Sequence, residues 1–112
     1  MKIYHNPRCR KSREVVQYLN EKGLLFEIVE YMKEEISETK MKLLLNKLNM
    51  TAMQLIRKKE KVWKEKFKDK KLTQDQIINL LCTHPKLMER PIIESKNIAV
   101  VGRPKENVDQ LI

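Results

Sequence analysis

Apolar residues in this chain recur at two different spacings, and each change of spacing marks a new element. Lys2 to His5 reads as a short strand with Ile3 turned inward, and Asn6-Pro7 breaks it. From Arg10 onward Val15, Val16 and Leu19 share one face at helical spacing, and Gly23 stands where a C-terminal cap belongs. Leu24 to Val29 is an apolar run rich in β-formers and predicts a second strand. Ser37 opens a helix in which Met41, Leu44, Leu45 and Leu48 repeat at i, i+3, i+4 and i+7. Thr51-x-x-Gln54 and Thr73-x-x-Gln76 both have the form of capping boxes before apolar helical turns. The second heads a helix carrying Ile77, Ile78, Leu80 and Leu81, which His84-Pro85 ends. Pro91 to Glu94 and Ile98 to Val101 predict two strands joined by the turn-prone Ser95-Lys96-Asn97. Pro104, at a first helical position, predicts a closing helix that runs to near Leu111.

The order is β-α-β, a helical block, then β-β-α. An α/β, thioredoxin-like fold with a helical insertion between the βαβ and ββα halves fits this string, and a ferredoxin-like sandwich shares it. At 112 residues with 41% hydrophobic content the expectation is one domain spanning 1–112, with the insertion at about 37–87. No run approaches the ~18–20 apolar residues of a membrane span. Met1 to His5 are too few and too polar for a signal-peptide core, which points to the cytoplasm. Two cysteines far apart, Cys9 and Cys82, suit a reducing compartment better than a disulfide framework.

Charge changes the picture next. The net charge is +9, and Arg57 to Lys71 holds nine Lys or Arg against three acids. A solvated lysine face is the first reading of such a run, and a nucleic-acid footprint the second. Trp63 and Phe67 lie four apart, so on a helix they share one face as core anchors rather than standing out to stack on bases. A positive field also attracts small oxyanions.

The segment His5-Asn6-Pro7-Arg8-Cys9-Arg10-Lys11-Ser12-Arg13 joins the first strand to the first helix. A cysteine there sits at a helix N-terminus, where free N–H groups and the dipole favour an anion. Arg8, Arg10, Lys11 and Arg13 add positive charge close by in sequence, so Cys9 is expected to ionise more easily than a free thiol and to be reactive rather than a buried filler. Ser12 brings a hydroxyl and a first-turn N–H to the place where a dithiol oxidoreductase has its second cysteine. His5, Cys9, Cys82 and His84 are too scattered for a zinc site. Val15 stands six positions after Cys9, which rules out the Cys-x5-Arg loop of phosphatase-like enzymes.

With these residues in place, His5-Asn6-Pro-x-Cys9-x-x-Ser12-Arg13 resembles the active-site loop of the ArsC family, the glutaredoxin-dependent arsenate reductases. The resemblance covers nearly the whole chain. Leu55-Ile56-Arg57-Lys58, the helix from Thr73 to His84-Pro85, Glu89-Arg90-Pro91-Ile92 and Gly102-Arg103-Pro104 match further family motifs in order. It implies a thioredoxin fold with Cys9 as nucleophile and with Arg57, Arg90 and Arg103 binding arsenate or a related small oxyanion. His5 matches a loop histidine that helps lower the thiol pKa, Asn6, Ser12 and Arg13 complete the loop, and Pro91 becomes a candidate cis proline. The implied chemistry is a Cys9–arsenic adduct that glutathione attacks, with arsenite released through glutaredoxin, and with no bound cofactor. Cys82 departs from the family's functional set and reads as a core residue beside Leu80 and Leu81. Two alternatives stay open: a glutathione-linked thiol oxidoreductase of another substrate, and an Spx-like regulator that binds RNA polymerase. Ser12 in place of a second cysteine, together with Arg103, favours the enzyme branch.

Overall fold

Strand β1 (Lys2–Tyr4) pairs in parallel with β2 (Glu27–Val29) on one side and antiparallel with β3 (Ile92–Glu94) on the other. Strand β4 (Ala99–Val101) runs antiparallel to β3, so the sheet order is β2-β1-β3-β4. The computed structural model describes residues 1–112 and divides them into two units. The sheet belongs to the first, Met1–Glu34 with Arg90–Ile112, and residues Glu35–Glu89 form the second. In sequence, the second unit falls between the βαβ and ββα halves.

Alternation along the strands fixes the first unit's core. Ile3 and Ile93 are register partners on one face of the sheet. They pack with Val15 and Leu19 of helix α1 (Arg10–Glu21) and with Val108, all five inaccessible to solvent. On the opposite face Tyr4, Ile92 and Glu94 are buried, and the Tyr4 hydroxyl donates to Glu94 Oε1 at 2.7 Å. Burial, and then the Glu94 carboxylate, push the Tyr4 phenol up, so it remains a donor. Helix α1 ends as its glycine predicts. Gly23 takes φ +68°, its N–H reaches Asn20 O at 3.0 Å, and Leu24 N–H reaches Leu19 O at 3.2 Å.

Two ends differ from the sequence reading. Strand β2 starts at Glu27, not Leu24, because the ladder begins only where Lys2 faces Glu27, and Leu25 is 93% exposed. The closing helix is a 3₁₀ helix over Lys105–Leu111 rather than an α-helix from Pro104. Pro104 is extended at ψ 165°, and its carbonyl accepts from Asn107 N–H at 3.0 Å, so it caps the helix from outside.

The second unit is helical. Ser37 caps α2 (Glu38–Leu48) by accepting from Lys40 N–H at 3.1 Å, and Asn49 closes it in the left-handed region at φ 55°. Thr73 and Gln76 form both halves of the expected capping box on α3 (Gln74–Thr83). Met41, Leu44 and Leu45 of α2 and Ile77, Ile78 and Leu81 of α3 are buried. The Thr51–Gln54 box also closes, but it heads only a 3₁₀ turn, Met53–Leu55. Ile56 then turns extended at ψ 131° and bridges Met88 antiparallel, which stops helix growth. Trp63–Phe67 is a π-helical turn, with Lys68 N–H on Trp63 O at 2.9 Å. Trp63 is buried, whereas Phe67 is half-buried, edge-on to His84 at 5.5 Å, so only one of the two expected anchors is fully inserted. Every lysine from Lys58 to Lys71 is exposed. No helix is long and apolar enough to cross a membrane.

Candidate active site

The loop between β1 and α1 is held by one buried hydroxyl. Ser12 Oγ accepts from Asn6 N–H at 3.0 Å and lies 2.6 Å from His5 Nδ1, and Ser12 is wholly inaccessible. Asn6 then folds the chain over itself: its carbonyl accepts from Cys9 N–H at 2.9 Å and its Oδ1 from Arg8 N–H at 3.0 Å. Arg13 Nη1 donates to Pro7 O at 2.9 Å and closes the loop from outside. These bonds leave Cys9 in extended backbone at the N-cap of α1, with no side chain capping the first turn.

The first-turn N–H groups of Ser12 and Lys11 and the Arg90 guanidinium are the groups that favour the Cys9 thiolate. Burial pushes the thiol up, but the Ser12 N–H, the Arg90 charge and hydrogen bond, and the Lys11 N–H outweigh it and bring the pKa below its usual value. The expected direction holds, and so does the helix N-terminus as a cause, but the cation is Arg90 rather than the loop's own. Arg8, Arg10, Lys11 and Arg13 all point into solvent. Arg10 pairs with Glu14 at 3.3 Å, and Arg13 serves the loop carbonyl. Because those cations face outward, Cys9 can be buried, at 9% exposure, without placing it among them.

Arg90 lies two residues before β3. Its Nε–H is buried and has no acceptor in the protein, which costs ~1–3 kcal/mol. The Arg90-Pro91 bond is cis, as the resemblance implied, and Arg103-Pro104 is cis as well, which the sequence reading did not anticipate. Gly102 N–H donates to Pro91 O at 2.8 Å, tying the start of the Arg103 turn to the start of β3. A Cβ on Gly102 would stand 2.8 Å from Ile93 Cδ1 and 3.1 Å from Pro91 Cγ, so any side chain here would force its neighbours to shift. Asn107 Nδ2 donates to Val101 O and Arg103 O, each at 3.0 Å, and locks that turn.

His5 differs from a charged helper. Burial, reinforced by Arg13, lowers its pKa against the opposing pull of Glu30. Its ring is therefore neutral at pH 7 and bears on the site through Ser12. Arg57 belongs to the second unit, where Nη1 lies 3.3 Å from Glu60 Oε2 and donates to Lys86 O at 3.2 Å. Cys82 is half-buried in α3, and burial, then the Glu38 charge, raise its pKa. No group of three or more His, Cys, Asp or Glu side chains is gathered for a metal ion. The first unit thus assembles His5, Asn6, Cys9, Ser12, Arg13, Arg90 and Pro91, with Arg103 on the adjoining turn. Sequence reasoning placed Gly102 in a motif without giving it a role and passed over Asn107. Gly102 is one of only two glycines in the chain and precedes an arginine at a strand end, which was an available signal.

A four-stranded mixed sheet, a single loop thiol at a helix N-terminus and an arginine-cis-proline step opposite it define a thioredoxin-like thiol protein. Residues 4–111 match the ArsC family. The chain is 37% identical to the arsenate reductase of Neisseria meningitidis, covering 100% of this chain and 97% of that one. It is 40% identical to the uncharacterized protein YfgD of Escherichia coli K12, covering 100% and 96%. The solved arsenate reductase of Vibrio cholerae superposes with a TM-score of 0.93 at 34% identity, over 100% of this chain and 98% of that one. The chain belongs to the ArsC family.

Proposed function

We propose that this protein is a cytoplasmic arsenate reductase that uses Cys9 as nucleophile and external thiols as reductant. The observation that carries the reading is a loop thiol whose pKa is lowered by Arg90 and two backbone N–H groups, with the Nε–H of that same arginine buried and unpartnered. Such an arrangement favours an anion at the sulfur twice over, as thiolate and then as bound oxyanion. In this reading Arg90 and Arg103 hold arsenate oxygens through planar guanidinium forks, and Arg57 is the third such arginine on the strength of its family motif. The whole chain, 1–112, acts as one catalytic domain.

The Cys9 thiolate attacks arsenic and hydroxide leaves, giving a Cys9–S–As(V) adduct. A glutathione thiolate displaces a second hydroxide, so that arsenic bridges two sulfurs. A glutaredoxin thiolate then attacks the glutathione sulfur. The S–As bond breaks with its electron pair going to arsenic, and a mixed disulfide leaves with glutaredoxin. Water releases arsenite from Cys9 and restores the thiol. One arsenate and two thiols thus yield arsenite, a disulfide and water, with no cofactor bound to the chain.

The test is arsenate-dependent NADPH oxidation coupled through glutathione reductase, glutathione and glutaredoxin. Turnover is expected to need all components, to vanish in Cys9→Ser and to persist in Cys82→Ser. Turnover that survives Cys9→Ser, or that runs on thioredoxin through Cys82, overturns the monothiol scheme. Glutathione-linked disulfide reduction without arsenate turnover would instead mark a thiol oxidoreductase of another substrate.

A further inference from the structure

The net charge of the second unit is concentrated in one stretch. Arg57 to Lys71 holds nine Lys or Arg against three acids, whereas the rest of Glu35–Glu89 balances at four lysines against four acids. Two of the three acids are engaged inside the stretch: Glu60 Oε2 lies 3.3 Å from Arg57 Nη1, and Glu65 Oε1 lies 3.8 Å from Lys61 Nζ. Asp69 is then the one acid left among the seven remaining lysines, all of them exposed. Solvation accounts for exposed lysines, but it gives no reason to crowd like charges that repel one another while the rest of the unit is neutral.

The stretch is held against its own unit rather than trailing from it. Arg57 N–H donates to Leu87 O at 2.7 Å, Trp63 is buried, Lys68 N–H closes the π-helical turn on Trp63 O, and Phe67 packs edge-on to His84. A backbone fixed in this way has little order left to lose when a partner binds. The same anchors narrow the partner. Trp63 is inserted and Lys70 Nζ stands 5.5 Å over the Phe67 ring, so no aromatic face is free to stack on the bases of a single strand. None of the exposed large apolar side chains belongs to the stretch, which leaves nothing to enter a bilayer. Lysines supply point charges without the planar fork that reads base edges. The anion that matches a dense row of such charges is a nucleic-acid duplex, with about one phosphate per 1.7 Å of axis, a density that the mixed surface of an acidic protein does not reach.

We propose that the lysines from Lys58 to Lys71 form a docking surface for duplex nucleic acid, bound through its phosphate backbone and without sequence preference. This is a second activity, independent of the thiol chemistry: its lysines all lie in the second unit, and Cys9 lies in the first.

The experiment is fluorescence anisotropy of the full chain on a labelled DNA duplex of about 20 base pairs, from about 50 to about 200 mM salt. The affinity is expected to fall with salt at a log–log slope of about −4 to −6, equally for duplexes of unrelated sequence. Lys64→Ala, Lys66→Ala and Lys68→Ala together should reduce that slope by about three, and Lys66→Ala alone by about one. Lys33→Ala, Lys96→Ala and Lys105→Ala remove the same charge from exposed positions of the first unit and should leave the slope nearly unchanged. Equal losses in the two triple variants would show that net charge alone binds the duplex, and would overturn the surface. Tighter binding to the single strand than to the duplex overturns it as well. So does competition by polyglutamate at matched charge that equals competition by unlabelled duplex, which would make an acidic protein the partner. Binding to phosphatidylserine vesicles without binding to the duplex would make it a membrane surface instead and equally overturns the proposal.

Discussion

Arg90→Ala isolates the group on which the site depends. It removes the side-chain cation that favours the Cys9 thiolate, and it leaves the Ser12 and Lys11 N–H groups in place. A charge-assisted hydrogen bond is worth ~1.5–3 kcal/mol net. At about 1.4 kcal/mol per tenfold, that predicts a loss of roughly ten- to 150-fold in arsenate kcat/KM. The thiol pKa should move upward, because a cation that stabilises the thiolate is gone while the burial that opposes ionisation remains. Alkylation by iodoacetamide, followed across pH, reads that change without any substrate. Arg90→Lys keeps a charge without the fork and should fall between the two. Arg103→Ala should depress arsenate turnover without moving the alkylation midpoint, since Arg103 is not among the groups acting on the sulfur. The reasoning is refuted if Arg90→Ala leaves the alkylation profile where it was, or if Arg8→Ala and Arg10→Ala shift it as far.

Three further outcomes follow from the packing around the loop. Gly102→Ala should destabilise by ~1–3 kcal/mol and lower the thermal midpoint by roughly 5–20 °C, because the new Cβ meets Ile93, Val15 and Pro91 at 2.8–3.1 Å; an unchanged midpoint would show that the Arg103 turn is not tightly held. Ser12→Ala strands a part-buried Asn6 N–H and the buried His5 ring, so a loss of ~1–3 kcal/mol is expected in urea unfolding, with Cys9 alkylated less selectively. The lowered His5 pKa means the unfolded chain binds the proton that the folded one refuses, so stability should rise with pH up to about 6.5; His5→Gln should flatten that part of the urea-midpoint profile, and an identical slope in the variant would refute it.

Much of the fold was legible because local chemistry and tertiary packing agree. Ser37, Thr73 and Gly23 end or begin helices by side-chain oxygen or by glycine geometry, and each does so in the structure. The misses share one cause. Leu24 to Phe26 have strand chemistry but no strand beside them, since β1 supplies partners only from Lys2. Thr51 and Gln54 close a capping box whose helix is cut short by the Ile56–Met88 bridge, a contact across more than thirty positions that no window of sequence contains. Pro104 carries a helix-start signal, yet the carbonyl it offers to Asn107 makes it the cap rather than the first turn.

The same distinction separates the charges that matter at Cys9 from those that only lie near it in sequence. Arg8, Arg10, Lys11 and Arg13 are within four positions of the cysteine, but a helix N-terminus splays consecutive side chains around its axis. Each of the four reaches water, and the ion pairs they make there, such as Arg10 with Glu14, are of the exposed kind worth ~0–1 kcal/mol. Arg90 is distant in sequence, but β3 pairs with β1, and β1 feeds directly into the Cys9 loop. Strand pairing therefore delivers one guanidinium to the sulfur, where partial burial lets a single cation and two backbone N–H groups outweigh the cost of desolvating a thiolate. The loop's own basic residues are then free for other work: Arg13 closes the turn over Pro7, and the Lys11 ammonium lies 3.8 Å from Glu14 while its backbone N–H favours the thiolate.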